Sequence, residues 1–202
     1  MKKTFVLTLA LFLVIGSAAG QEVASPKKWQ FPLELTFFNH AVSIPFEGII
    51  LSPLHPGFSV GTEYAYTEGR RGRLFQSLAG GYYYNKYIAR ALFLQTSAGY
   101  RYTLGFGLFG DITLGIGYLH SFHPRPIYGL NAQGEYEKAK DTGKGAFIAL
   151  GALGIGYDFR QKVGWPVSVF LRYQPYIQTH YSLDSSIGPQ AMVHFGIRVK
   201  FW

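Results

Sequence analysis

Residues 190–202 read QAMVHFGIRVKFW, and the spacing of apolar side chains in this stretch decides what kind of fold the chain can have. Every second position from Ala191 gives Ala191, Val193, Phe195, Ile197, Val199 and Phe201; the positions between are Met192, His194, Gly196, Arg198, Lys200 and Trp202. Successive side chains of a strand point to opposite faces, so the segment predicts a strand with a greasy wall on one side and His, Arg and Lys on the other.

The same period recurs upstream. In the first strand Leu33, Leu35 and Phe37 oppose Glu34, Thr36 and Phe38. In 57–67 Phe58, Val60, Thr62, Tyr64 and Tyr66 oppose Ser59, Gly61, Glu63 and Ala65. Further strands are predicted over 74–84, 92–104, 108–118, 147–159 and 167–177, which with the closing segment makes eight. Prolines at 45, 53 and 56 mark 40–56 as a long loop, because proline cannot donate to a ladder. Other links fall at 68–73, 85–91, 105–107, 121–145, 160–166 and 179–189. Those after the first, fifth and seventh strands are long, the one after the third is short, and the remaining links are turns.

Lys2 and Lys3, the apolar run Phe5 to Ile15 and the small residues Ser17-Ala18-Ala19-Gly20 form a secretory signal peptide over residues 1–20. That run is shorter than the ~20 residues a helix needs to cross a bilayer. The sequence has no cysteine, so no lipid-bearing cysteine and no disulfide are expected after export. Residues 21–30 (QEVASPKKWQ) are a polar lead-in with Trp29 as an interfacial anchor, and 31–202 form one domain.

The composition includes 25 Gly, 15 Tyr and 17 Phe, which suits a narrow barrel with aromatic girdles. The formal charge is +8, but the cations are scattered along the chain, which argues against a nucleic-acid partner. Periodicity alone does not say which face points out, and a soluble ligand-carrying barrel would alternate equally well. The minority face decides: it carries Glu34, Glu63, Arg101, Asp111, Asp158, Arg172, His194, Arg198 and Lys200, too many charges for a greasy cavity. The apolar face is therefore expected to meet lipid. Backbone groups in lipid must all be paired, which forces closure.

The signal peptide, the eight alternating segments and the ending VHFGIRVKFW resemble the small eight-stranded outer-membrane β-barrels, the type to which OmpA and OmpX belong. The resemblance implies an all-β, antiparallel, up-and-down transmembrane barrel, a Gram-negative outer-membrane location, and a periplasmic lead-in. It also implies that Phe195, Ile197, Val199, Phe201 and Trp202 form the signal read by the barrel assembly machinery. Partners on this reading are that machinery, outer-membrane lipid and lipopolysaccharide; the barrel is a monomer without metal or cofactor. Eight strands leave an interior that side chains fill, so Glu34, Glu63, Asp111 and Asp158 against Arg101, Arg172 and Arg198, with His194, are expected to plug the lumen as an ion network.

Three further signals complete the reading. In QTHYSLDS, His180 and Ser182 project to one side of an extended segment, where an imidazole can serve a hydroxyl as general base. The arrangement is similar to the H-x-S motif of the lipid A deacylase barrels, with Asp184 as the only nearby acid; Leu183 and Asp184 depart from that family's Ser-Asn-Ala. Pairs at His120/His123 and His40/His55 carry only a weak metal signal. Tyr82, Tyr83, Tyr84, Tyr87, Tyr100, Tyr102 and Tyr118 are expected in the interfacial girdles, and Arg70, Arg71 and Arg73 in a solvated turn. The preferred function is structural or adhesive, through the loops at 40–56 and 121–145. A serine hydrolase using His180 and Ser182 is one alternative, and a narrow channel or a small hydrophobic-ligand barrel is another.

Overall fold

The computed structural model describes residues 31–42, 53–131, 133–179 and 187–201. The signal peptide, the lead-in, most of the 40–56 loop, His180, Ser182, Asp184 and Trp202 lie outside them. The strands are β1 (Leu33–Ala41), β2 (Pro56–Glu68), β3 (Gly72–Asn85), β4 (Ala89–Thr103), β5 (Leu108–Phe122), β6 (Tyr128–Leu130), β7 (Tyr136–Lys138), β8 (Lys144–Asp158), β9 (Val167–Thr179) and β10 (Ile187–Val199). A single helical turn, α1 (Arg160–Val163), closes on Gly164, whose φ of 76° is open to glycine.

Eight strands close into one antiparallel up-and-down barrel, ordered β1-β10-β9-β8-β5-β4-β3-β2. The seam is β1 against β10, in register from Leu33 opposite Val199 to Ala41 opposite Ala191. β6 and β7 form a separate two-stranded hairpin within the link between β5 and β8. The alternation has the polarity expected of a membrane barrel. Phe37, Leu78, Leu94, Leu114, Ile116, Phe147, Ile155 and Leu171 stand on the outside, each more than half exposed, while Glu34, Glu63, Arg101, Asp111, Gln174 and Arg198 are buried inside. Together with closure, this is an eight-stranded transmembrane β-barrel.

The strands outrun the sequence-based limits. Only 86–88 separate β3 from β4, where 85–91 were expected as a link, and β5 and β8 reach Phe122 and Lys144, into the expected 121–145 loop. β1 extends through Ala41, β2 starts at Pro56, and β10 already runs from Ile187, with Pro189 opposite Ile177. Backbone pairing continues past the apolar layer, where water relaxes the demand for alternation and the pattern fades before the ladder does. One proline marks the ladder itself: the β8–β9 register runs from Ile148 to Leu150, resumes at Leu153, and the gap lies at Pro175.

Candidate functional site: the filled lumen and the loop end

The start of β1, the end of β10 and the links 69–71, 104–107 and 159–166 lie at one end of the barrel. The lumen on that side holds an alternating chain of acids and guanidiniums. Arg101 donates to both Glu63 oxygens, at 2.9 and 2.7 Å, and to Asp111 from Nε and Nη2, at 3.2 and 2.9 Å. Arg198 Nη2 lies 2.7 Å from Glu63 Oε1 and donates to Glu34 Oε2 at 2.7 Å; Arg172 completes the chain at Glu34 Oε1, 2.8 Å away. The register sets two of these meetings directly, since Glu34 is opposite Arg198 and Arg101 is opposite Asp111.

Two residues expected in the network stand apart from it. Asp158 is at the rim, 3.6 Å from Lys200 Nζ and accepting the Arg160 N–H, because it ends β8 rather than facing its middle. His194 is inside, but its Nδ1 meets Thr36 Oγ1 at 3.2 Å and its ring lies 4.7 Å from Phe38, with no ion pair among the described residues. Arg73, expected in the solvated turn, is instead the second residue of β3 and reaches within 4.0 Å of Glu63.

Phenyl rings separate the guanidiniums. Arg101 lies over Phe75 and Phe109, at 4.6 and 4.9 Å from their centroids, and Arg172 and Arg198 lie over Phe170, at 4.7 and 5.0 Å. Each of five lumenal phenylalanines is directly opposite a glycine of the adjoining strand: Phe38 and Gly57, Phe75 and Gly99, Phe93 and Gly81, Phe109 and Gly156, Phe170 and Gly196. A β-carbon on any of the five glycines would run into its partner ring. The glycine content suits a narrow lumen, but this pairing is set by register between strands and has no signature in the sequence.

Above the ions, Gln95 and Gln174 bond reciprocally at 3.2 and 3.0 Å, beside a cavity of about 10 Å³ lined by Glu34, Ser97 and Arg172. Such a space is about the size of one water. Phe38, Phe93, Leu119, Ile148, Leu150 and Met192 then fill the section with apolar side chains. Nearer the far end, buried His40 stacks on Tyr83 at 4.1 Å. Its Nε2 contacts Gln190 Oε1 at 2.7 Å and Tyr176 Oη at 3.0 Å, and its Nδ1 contacts Asn85 at 3.3 Å. His40 continues the inward phase of Glu34, Thr36 and Phe38, a signal legible in the sequence but overridden by the nearby prolines. Tyr83 corrects the girdle assignment: it points inward, as alternation with Tyr82 and Tyr84 demands, and is 2% exposed.

The loop end presents 86–88, the β6–β7 hairpin and its flanks. His123 donates its N–H to Asp141 Oδ2 at 2.8 Å, and its Nδ1 lies 3.3 Å from Oδ1, which also accepts the Gly143 N–H at 3.1 Å. Desolvation would raise the Asp141 carboxyl, but the Gly143 and His123 hydrogen bonds outweigh it and hold the group below its usual range. His120 bonds to Tyr118 and to the Thr142 carbonyl. Among the described residues, no group of three or more His, Asp or Glu is arranged to hold a metal ion.

No protein-family model matches the sequence, and no curated protein matches it. Solved structures do. Neisserial surface protein A is 12% identical with a TM-score of 0.54, the match covering 85% of this chain and 97% of that one. The N-terminal β-barrel domain of Pseudomonas aeruginosa OprF is 15% identical with a TM-score of 0.52, covering 86% of this chain and 100% of that one. At these identities the likeness is one of fold: the chain has the fold of the small eight-stranded outer-membrane barrels.

Proposed function

We propose that the protein is an integral, monomeric outer-membrane barrel with a sealed lumen, acting in adhesion or interaction through the surface at its loop end. The observation that carries this reading is the filled lumen. An ion chain, a glutamine pair, an apolar section and the His40 cluster follow one another along the axis, and the cavity among them has room for one water. With the lumen filled in this way by the described residues, the surfaces left for recognition are the wall, which meets lipid and lipopolysaccharide, and the two ends. An even number of strands puts the start of β1 and the end of β10 on one side, the periplasm, and the two longest links, after β1 and β5, on the other. Phe195 and Ile197 stand outward on the closing strand β10, with Phe201 just beyond it, where the barrel assembly machinery would read them.

Two measurements test this reading. Reconstituted into planar lipid bilayers, the protein is expected to give no steady conductance steps; reproducible steps would overturn the sealed lumen. On intact cells a Gln133→Cys variant, whose new thiol is unique in a cysteine-free chain, is expected to react with a membrane-impermeant maleimide. Labelling only after the outer membrane is permeabilised would overturn the orientation.

A further inference from the structure

At the loop end two links face one another across a cleft of about 350 Å³. Lys86 and Tyr87, from the turn between β3 and β4, form one wall; His123, Pro124, Arg125, Pro126 and Ile127, from the start of the link after β5, form the other. Both walls are held in place. The Ile88 N–H donates to the Asn85 carbonyl at 3.2 Å and the Tyr87 N–H to Asn85 Oδ1 at 3.0 Å, while Asp141 fixes His123 and two prolines stiffen the chain beyond it.

The cleft is cationic and part aromatic. Lys86 and Arg125 line it and no carboxylate does. Arg90, opposite Phe122 and 5.7 Å from its ring, adds a third cation beside the His123 wall. Asp141, the acid bonded to His123, is engaged by the N–H groups of His123 and Gly143. Tyr87, Pro124, Pro126 and Ile127 offer apolar surface suited to the C–H face of a sugar, and the cations suit a phosphate. Height on the barrel narrows the ligand further. Tyr84, two residues before Lys86, and Tyr118, on the same outer face of β5 below Phe122, stand outward and exposed at this end of the wall. Aromatic residues of that kind sit at head-group level, so the cleft opens at the height of lipid phosphates.

We propose that this cleft binds the phosphorylated saccharide head group of a glycolipid in the leaflet around the loop end. In the cell this rests on the outward orientation of that end, which the Gln133→Cys labelling tests separately; the binding itself is measurable on purified protein. The probe is diphosphoryl lipid A, added to the folded barrel in zwitterionic micelles, with the retained complex read by native mass spectrometry.

The wild-type protein is expected to retain diphosphoryl lipid A and to lose about tenfold in apparent affinity for enzymatically dephosphorylated lipid A. The Lys86→Ala/Arg125→Ala double variant, verified as folded by its heat-dependent electrophoretic shift, is expected to lose a similar factor, and Lys86→Arg/Arg125→Lys to recover most of it. Equal retention of the two lipids by the wild-type protein would overturn the proposal without any variant being needed. Unchanged retention by the folded double variant would also overturn it, as would displacement of the lipid by millimolar inorganic phosphate, which would mark a site for free phosphate.

Discussion

Glu63 is the residue on which the lumenal chain turns. Its carboxylate is 0% exposed and lies between Arg101 and Arg198, so it compensates two guanidiniums that are themselves buried. Glu63→Gln keeps the shape and removes the charge. We expect a loss of about 3–5 kcal/mol, measured by urea unfolding in phospholipid vesicles and followed by tryptophan fluorescence. Glu68→Gln makes the contrast: that carboxylate is half exposed and 3.7 Å from Arg73, and its removal is expected to cost under about 1 kcal/mol. Equal losses for the two would show that the lumen is as wet as the surface. Part of this chain was legible beforehand. Arg101 and Asp111 flank one short turn with inward phase, so their meeting follows from sequence spacing. Glu34 and Arg198 lie at opposite ends of the chain, and only closure brings them together.

At the scale of the strand, the opposed phenylalanines and glycines set how closely strands pack round the lumen. Gly81 faces inward against Phe93, and a β-carbon there would lie 2.6 Å from the Phe93 ring and from the Phe58 carbonyl oxygen. Its neighbour Gly80 faces outward, and the nearest atom to a β-carbon would be at 3.6 Å, ordinary contact. Gly81→Ala is therefore expected to destabilise the barrel by about 1–3 kcal/mol through overpacking, while Gly80→Ala is neutral or slightly stabilising by reducing unfolded-state entropy. The check is the unfolding midpoint of both variants in the same vesicles; a Gly81→Ala barrel as stable as Gly80→Ala would mean that the rings move aside freely. Strand centres were legible from their alternation, as at Leu33 to Phe38. Strand ends were not: Ala89, Arg90 and Ala91 continue β4 with polar and small residues, because outside lipid the ladder is held by backbone bonds that leave no signature in side-chain type.

For the whole molecule, the deciding property is that the barrel is inside out relative to a water-soluble one. Leu114, in the middle of β5, is 72% exposed. In a water-soluble protein Leu114→Arg would be a surface change of little consequence. On a lipid-facing wall it is expected to cost about 2–4 kcal/mol, again by unfolding in vesicles. A change within about 0.5 kcal/mol, the range usual for exposed positions in water, would contradict the lipid-facing wall. The sequence by itself determined the strand period, the eight segments and the polarity of the barrel, because a period of two with charges on the minority face has one stable arrangement in a closed sheet. The tertiary structure decided which charges meet, which rings cover which glycines, and that Lys86 and Arg125 share one cleft. These depend on register and closure between strands far apart in the chain, and no local pattern of side chains encodes them.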